Sequence, residues 1–212
     1  MKRIVFTVCF LLIAGGIFWR YPLFHIVRLD DDGHSATREL VFNAKDFADS
    51  FWIEQLVPSL NQAPEAALLL TQLSENPHAA GEKFGRKVGM GRNRMFILRG
   101  SGTVVRLDKH GVGLSLEPAG TEPDVVLFTG MLFGNMVRDA TGLLEAGEFS
   151  NSQHFNDIST ELNRIVEERV MRVVKEQAAI GRELRFIGCA EAPGDAGNFR
   201  PLTVIPLEVH LE

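Results

Sequence analysis

Two neighbouring residues of opposite charge, Arg138 and Asp139, follow the glycine-rich run Gly130-Met-Leu-Phe-Gly134. A planar guanidinium donor beside a carboxylate acceptor is the pair of groups that can bracket the hydroxyls of a sugar. The same pair can satisfy backbone groups in a turn at a helix start, which is the structural alternative. Trp52 is the third candidate for ligand binding, an indole face on which a sugar ring stacks. Its helical spacing from Phe47, Phe51 and Leu56 favours a core position, which is the structural alternative.

Other chemistry does not assemble. Ser101 lies between Gly100 and Gly102 without the strand-to-helix elbow that exposes a nucleophilic serine. His25, His34, His78, His110, His154 and His210 are dispersed and share no metal-ligand spacing with Cys, Asp or Glu. Asp30-Asp31-Asp32-Gly33 lacks the spaced ligands and closing Glu of a calcium loop and reads as a solvated linker. Gly85, Gly89 and Gly91 show neither Walker spacing nor a complete dinucleotide fingerprint. No catalytic residue, metal site or cofactor is expected, and the chain reads as a non-enzyme.

The N-terminus sets the compartment. Lys2 and Arg3 precede an uncharged run from Ile4 to Trp19 that ends at Arg20. A positive start followed by an apolar stretch directs the remainder of a chain across the membrane. The sixteen residues span roughly 24 Å as a helix, close to a ~30 Å hydrocarbon core, with Trp19 and Tyr21 at the interface. Residues 1–20 therefore read as a signal anchor held in the cytoplasmic membrane through residues 4–19. Ala14-Gly15-Gly16 offers the alternative, a signal peptide cleaved near Gly16 that releases the chain to the periplasm.

Residues 21–41 read as a juxtamembrane linker and residues 42–212 as a periplasmic domain. The 212 residues carry 45% apolar and 23% charged side chains, a globular balance, and the net charge of −5 argues against nucleic acid. Cys9 and Cys189 form no disulfide framework.

The elements that would position the candidates follow from periodicity. A helix starts at Asn43 and closes at Pro58, and a second runs from Pro64 to Asn76-Pro77, giving a helical part at 43–80. Period-two runs predict strands at Met95–Asp108, Gly113–Glu117, Asp124–Thr129, Glu183–Cys189 and Leu202–Leu211. Gly100 and Gly102 within the longest run mark the bulge or bend that turns a barrel corner. A helix capped by Asn156 or Asp157 carries Ile158, Leu162, Ile165, Val166, Val170, Val173 and Val174 on one stripe and ends near Gly181. It is inserted into a β-barrel spanning 94–212. Lys83, Arg86, Lys87, Arg92, Arg94 and Arg99 concentrate positive charge in an acidic chain, as a solvated loop or a surface for anionic headgroups or an acidic partner.

The ordered segments FNAKDFADSFWIEQLVPSLNQ, NPHAAGEKFGRK, FILRGSGTVVRLD, GNMVRDATGLLEAGEFSNSQHFNDISTELN and LRFIGCAEA resemble the domain-of-unknown-function family 2291, predicted periplasmic lipoproteins. The resemblance covers about residues 40–192. It implies an α+β fold, a small OB-like β-barrel with packed helices, here preceded by the N-terminal membrane-anchor helix. It also implies association with carbohydrate ABC transporter subunits, beside whose genes such proteins are often encoded, and it carries over no catalytic residue. Cys9 stands mid-run after Phe6-Thr7-Val8, a departure from the lipoprotein pattern, so a transmembrane anchor is expected in place of a lipid.

Overall fold

The computed structural model describes residues 42–149, 151–193 and 199–211. The signal-anchor and linker readings at 1–20 and 21–41, and the lipidation question at Cys9, lie outside the described residues. Among the described residues no helix is long and apolar enough to cross a membrane.

Asn43 caps α1 (Ala44–Phe51), its side-chain oxygen accepting from the backbone N–H groups of Lys45 and Asp46. The helix does not stop at Pro58. It continues through a π-helical turn, Trp52–Leu56, into α2 (Val57–Ser59), which contains Pro58 and passes into a 3-10 turn at Leu60–Gln62. The π-turn has a sequence cause. Ala48, Trp52, Leu56 and Leu60 are all buried and recur every four residues. In a regular helix of 3.6 residues per turn that stripe would drift around the axis; a wider turn keeps it on one face.

Two more helices complete this part. α3 (Ala66–Glu75) buries Ala66, Leu69, Leu70 and Leu73. Asn76-Pro77 ends α3 as expected, but it also starts α4 (Pro77–Phe84), with the Asn76 side chain accepting from Ala79 N–H at 3.0 Å.

The strands are β1 (Arg86–Lys87), β2 (Asn93–Asp108), β3 (Gly111–Ser115) and β4 (Val125–Phe128), followed after the helices by β5 (Glu183–Pro193) and β6 (Leu202–Leu211). β2 pairs antiparallel with β5 from Asn93 to Thr103, and with β3 from Thr103 to Asp108. β3 pairs with β4 antiparallel, β4 with β6 parallel, and β6 with β5 antiparallel. The pairings thus return to the strand on which they began, a closed ring of five.

Gly102 makes the handover possible. A Cβ there would lie 2.6 Å from the Ser115 carbonyl oxygen, so only glycine lets β3 approach where β2 changes partner. The register with β5 runs unbroken through Gly100 and Gly102, and the irregularity of β2 falls further on, between Val104 and Arg106 in its pairing with β3.

Between β4 and β5 come α5 (Met136–Thr141), a 3-10 turn at Ala146–Glu148, α6 (Ser152–Ile165), a second π-helical turn at Val166–Met171, and α7 (Arg172–Gln177). α6 starts earlier than Asn156, because Asn151 caps it by accepting from His154 N–H at 2.8 Å. Ile158, Leu162, Val166, Val170 and Val174 are buried, again every four residues, and the π-turn falls in the middle of them.

The core joins the inward faces of the ring to α3. Phe96, Leu98, Val104, Leu114, Leu127, Leu184, Phe186 and Val204 pack with Leu69, Leu70 and Leu73 in one cluster. Each such side chain contributes about 1.5–3 kcal/mol of burial.

Candidate ligand site

A polar cleft lies where the β3–β4 connection meets the entry to β6. Its volume is about 570 Å³, and Arg106, Ser115, Glu117, Thr121, Glu122, Asp124, Arg200 and Pro201 are among the residues that line it. Asp124 is the organising group. It is 7% exposed, accepts from Leu116 N–H at 2.9 Å through one oxygen, and accepts from Arg200 Nη1 at 2.6 Å through the other. Its backbone does the same work: Asp124 N–H donates to the Leu114 carbonyl, and its carbonyl accepts from Leu202 N–H, each at 2.9 Å. One residue therefore ties β3, β4 and β6 together and presents Arg200 at the cleft.

The rim is fixed by short local bonds. Ser115 Oγ accepts from Glu117 N–H at 3.3 Å, and Gly120 N–H donates to the Glu117 carbonyl at 3.1 Å. Ala119 takes a left-handed backbone conformation (φ 60°), which costs a non-glycine residue energy and is held by the turn around it. Across the cleft Arg106 Nε donates to Asp108 at 2.8 Å.

These groups decide what the cleft can hold. Arg106 and Arg200 supply two positive charges, while Glu117, Glu122 and Asp124 supply three negative ones. The guanidiniums already face carboxylates, so an anion gains little here. A neutral molecule with several hydroxyls meets donors and acceptors at close spacing. Among the described residues no group of three or more His, Cys, Asp or Glu is placed to hold a metal ion.

The sequence-predicted residues lie elsewhere. Arg138 is 4% exposed in α5; its guanidinium lies 3.5 Å from the Phe155 ring centroid, donates to Asp139 at 2.6 Å, and donates to the Phe155 carbonyl at 3.0 Å. Arg138 is buried and Asp139 half-buried, and the pair joins α5 to α6 outside the Asp124 cleft. Trp52 is buried against Val170, Val173 and Leu207 in a separate pocket of about 240 Å³ that contains neither Arg138 nor Asp139. It belongs to the packing of the helical part on β6.

Ser101 donates to Glu183 Oε1 at 2.7 Å, and His210 pairs with Glu208 at 2.7 Å. Arg185 stands between Ser101 and His210 in the strand register, so the serine and the histidine are not joined. The glycine-rich run at Gly130–Gly134 is a clamped loop, with Leu132 N–H donating to Glu167 at 2.5 Å and Asn163 Nδ2 donating to the Gly134 carbonyl at 3.0 Å.

Asp124 and Arg200 were missed by sequence reasoning. They are 76 residues apart, and each sits beside a proline in a stretch that reads as a turn. No local period links them.

A five-stranded closed pairing with antiparallel neighbours except β4 and β6, and with a helix between β4 and β5, defines an α+β protein of the OB-fold type. A solved crystal structure agrees: an OB-fold protein from Thermotoga maritima matches with a TM-score of 0.71 and 29% identity, covering 81% of this chain and 99% of that one. The family model described as predicted periplasmic lipoprotein (DUF2291) matches residues 8–210, and the chain belongs to that family. No curated protein matches it at a significant level.

Proposed function

We propose that this chain is a non-enzymatic, periplasm-facing accessory protein of carbohydrate ABC uptake that binds a sugar, a polyol or a short glycan in the Asp124–Arg200 cleft. The carrying observation is the cleft itself, about 570 Å³ with guanidiniums, carboxylates and a serine hydroxyl crowded at one end of the ring and nearly balanced in charge. Three further points support the reading. OB-type rings bind oligosaccharides on the surface that includes the strands equivalent to β3 and β4. The family is described as periplasmic. The uncharged run from Ile4 to Trp19 suits attachment to the cytoplasmic membrane, where a permease sits.

The test is calorimetric titration of the full-length protein in detergent with pentoses, hexoses and polyols. Saturable heat that disappears in Arg200→Met supports the reading; no heat with any of them sinks the ligand half. In that case affinity capture from native membranes decides the second reading, an accessory protein that acts on transporter subunits through protein contacts alone. Capture of no permease or sugar-binding subunit would end that reading as well.

A further inference from the structure

The loop between β4 and α5 presents two large apolar side chains to solvent. Met131 is 68% and Phe133 79% exposed, while Leu132 between them is buried. The loop is held at two points. Leu132 N–H donates to Glu167 Oε1, and Asn163 Nδ2 donates to the Gly134 carbonyl, so α6 and the π-helical turn after it grip the run. Apolar groups displayed on a fixed backbone lose little conformational entropy when a partner covers them.

Between this loop and α6 lies a cleft of about 500 Å³, lined by Met131, Phe133, Asn156, Thr160, Asn163 and Glu167 among others. The side-chain donors of its floor are turned onto the protein. Ser159 Oγ and Thr160 Oγ1 donate to the carbonyls of Phe155 and Asn156 at 3.4 and 3.3 Å, and the Asn163 amide nitrogen is engaged by Gly134. Their oxygens, with the second oxygen of Glu167, meet no donor among the described residues and offer lone pairs to a ligand. Asn163 is 8% exposed, a nearly buried amide whose acceptor half is left for something outside the chain.

The charge agrees with that reading. Arg164 is the cation of this lining, and it is already engaged: Nε donates to Glu161 at 2.7 Å, Nη1 donates to Glu168 at 2.6 Å, and Nη2 is sealed from solvent. Glu167 adds a third carboxylate, so three negative charges here answer one positive.

We propose that this cleft receives an arginine side chain of a partner protein, with Glu167 and Asn163 accepting from its guanidinium and Phe133 stacking on its face. The apolar residues beside that arginine cover Met131 and the rest of Phe133. A guanidinium carries five N–H donors and no acceptor, the complement of a cleft that offers acceptors. Its weakly hydrated plane stacks on an aromatic ring, whereas a lysine ammonium is a strongly hydrated point charge. A free small molecule within the cleft would leave the outer faces of Met131 and Phe133 in water, and that remaining apolar surface calls for a protein. The cleft shares no lining residue with the Asp124 cleft, and the inference does not depend on sugar binding.

The experiment titrates the full-length protein in detergent, by calorimetry, with a short end-blocked peptide carrying arginine between two leucines. The same peptide with lysine or citrulline in place of the arginine provides the comparison. Saturable heat is expected with arginine, several-fold weaker binding with lysine, and binding at least about tenfold weaker with citrulline, which keeps the shape and loses the charge. Glu167→Gln keeps an oxygen for Leu132 N–H and should weaken arginine binding about tenfold. Phe133→Ala should weaken it as much, with the thermal transition unchanged because the ring is exposed. No heat with the arginine peptide at millimolar concentration overturns the proposal, as does equal binding of the arginine and citrulline peptides. If end-blocked arginine alone binds as tightly as the peptide, the cleft takes a small guanidino compound and the protein partner is overturned. Sugar titration of Phe133→Ala should match the unaltered protein, so the two clefts succeed or fail separately.

Discussion

The Arg138 guanidinium lies 3.5 Å from the centre of the Phe155 ring while donating to the carbonyl of that same residue at 3.0 Å. One side chain thus holds both the ring and the backbone at the start of α6, and Phe155 continues through Phe149 to Phe47 on α1 by ring contacts at 5.3 and 5.6 Å. Arg138 is the link through which α5 and the first turn of α6 share a position.

Arg138→Ala is expected to lower stability by about 3 kcal/mol, because it leaves Asp139 half-buried without its cation and removes a stacked guanidinium. Urea denaturation of the full-length protein in detergent measures this. Sugar titration of the folded fraction should be unchanged, since Arg138 lies outside the Asp124 cleft. A loss of ligand heat with normal stability would return Arg138 to the binding site.

Asp124→Asn should separate the two duties of that residue. The amide oxygen still accepts from Leu116 N–H, but the ionic contact to Arg200 is gone. Arg200 is 42% exposed, so solvent screens much of the pair and the expected loss of stability is modest, about 1 kcal/mol. The loss of ligand affinity is expected to be larger, roughly tenfold, because Arg200 is no longer held at the cleft. Chemical denaturation and calorimetry on one preparation distinguish these effects.

The strands were legible because their chemistry is local. Alternation placed β6 at Leu202–Leu211, the bounds observed, whereas the irregularity of β2 falls beyond the paired glycines. The helix ends were less legible, because Asn-Pro is both a stop and a start: Asn76 closes α3 with its backbone N–H, bonded to the Gln72 carbonyl, and caps α4 with its side chain. The two π-turns were legible in principle. A four-residue repeat as long as Ile158 to Val174 cannot stay on one face of a regular helix, and the helix widens where the drift would become intolerable. The cleft was not legible. Asp124 and Arg200 meet only because β4 and β6 pair in parallel, a relation between distant segments that no window of the sequence contains. Arg138 and Asp139 were visible as a pair, but their burial is a property of the packed chain.

Gly102→Ala should be costly. The added methyl meets the Ser115 carbonyl oxygen at 2.6 Å, which is backbone and cannot swing away. A loss of about 2–3 kcal/mol is expected, against well under 1 kcal/mol for Gly147→Ala on an open turn. Thermal melts of the two variants provide the comparison; equal transitions would mean that β3 shifts freely at the handover.

Cys189 gives a pH prediction. Burial pushes its thiol from 9.0 up to about 12, so the folded state keeps the proton that an unfolded chain releases above pH 9. The native form therefore binds more protons in that window, and this contribution to stability is present below pH 9 and is lost as pH rises towards 12. Between the two values the slope from this one group is about 1.4 kcal/mol per pH unit. Cys189→Ala should have a flatter alkaline stability curve than the parent, measured by denaturant titration from pH 8 to 10.5. Alkylation of the native thiol at pH 8 should proceed only at the rate of unfolding.

The position of β6 between β4 and β5 has a consequence for biogenesis. The ring is completed by the last of its strands to leave the ribosome, and the partners of that strand begin about 80 and 20 residues earlier. Until it arrives, β4 and β5 each expose an unpaired edge of the kind that recruits other chains. On the proposed periplasmic location, such a domain would be safest threaded across the membrane unfolded and closed in one step on the far side. A message truncated before Leu202 would yield a product with two adhesive edges, a substrate for periplasmic quality control rather than a weaker version of the same protein.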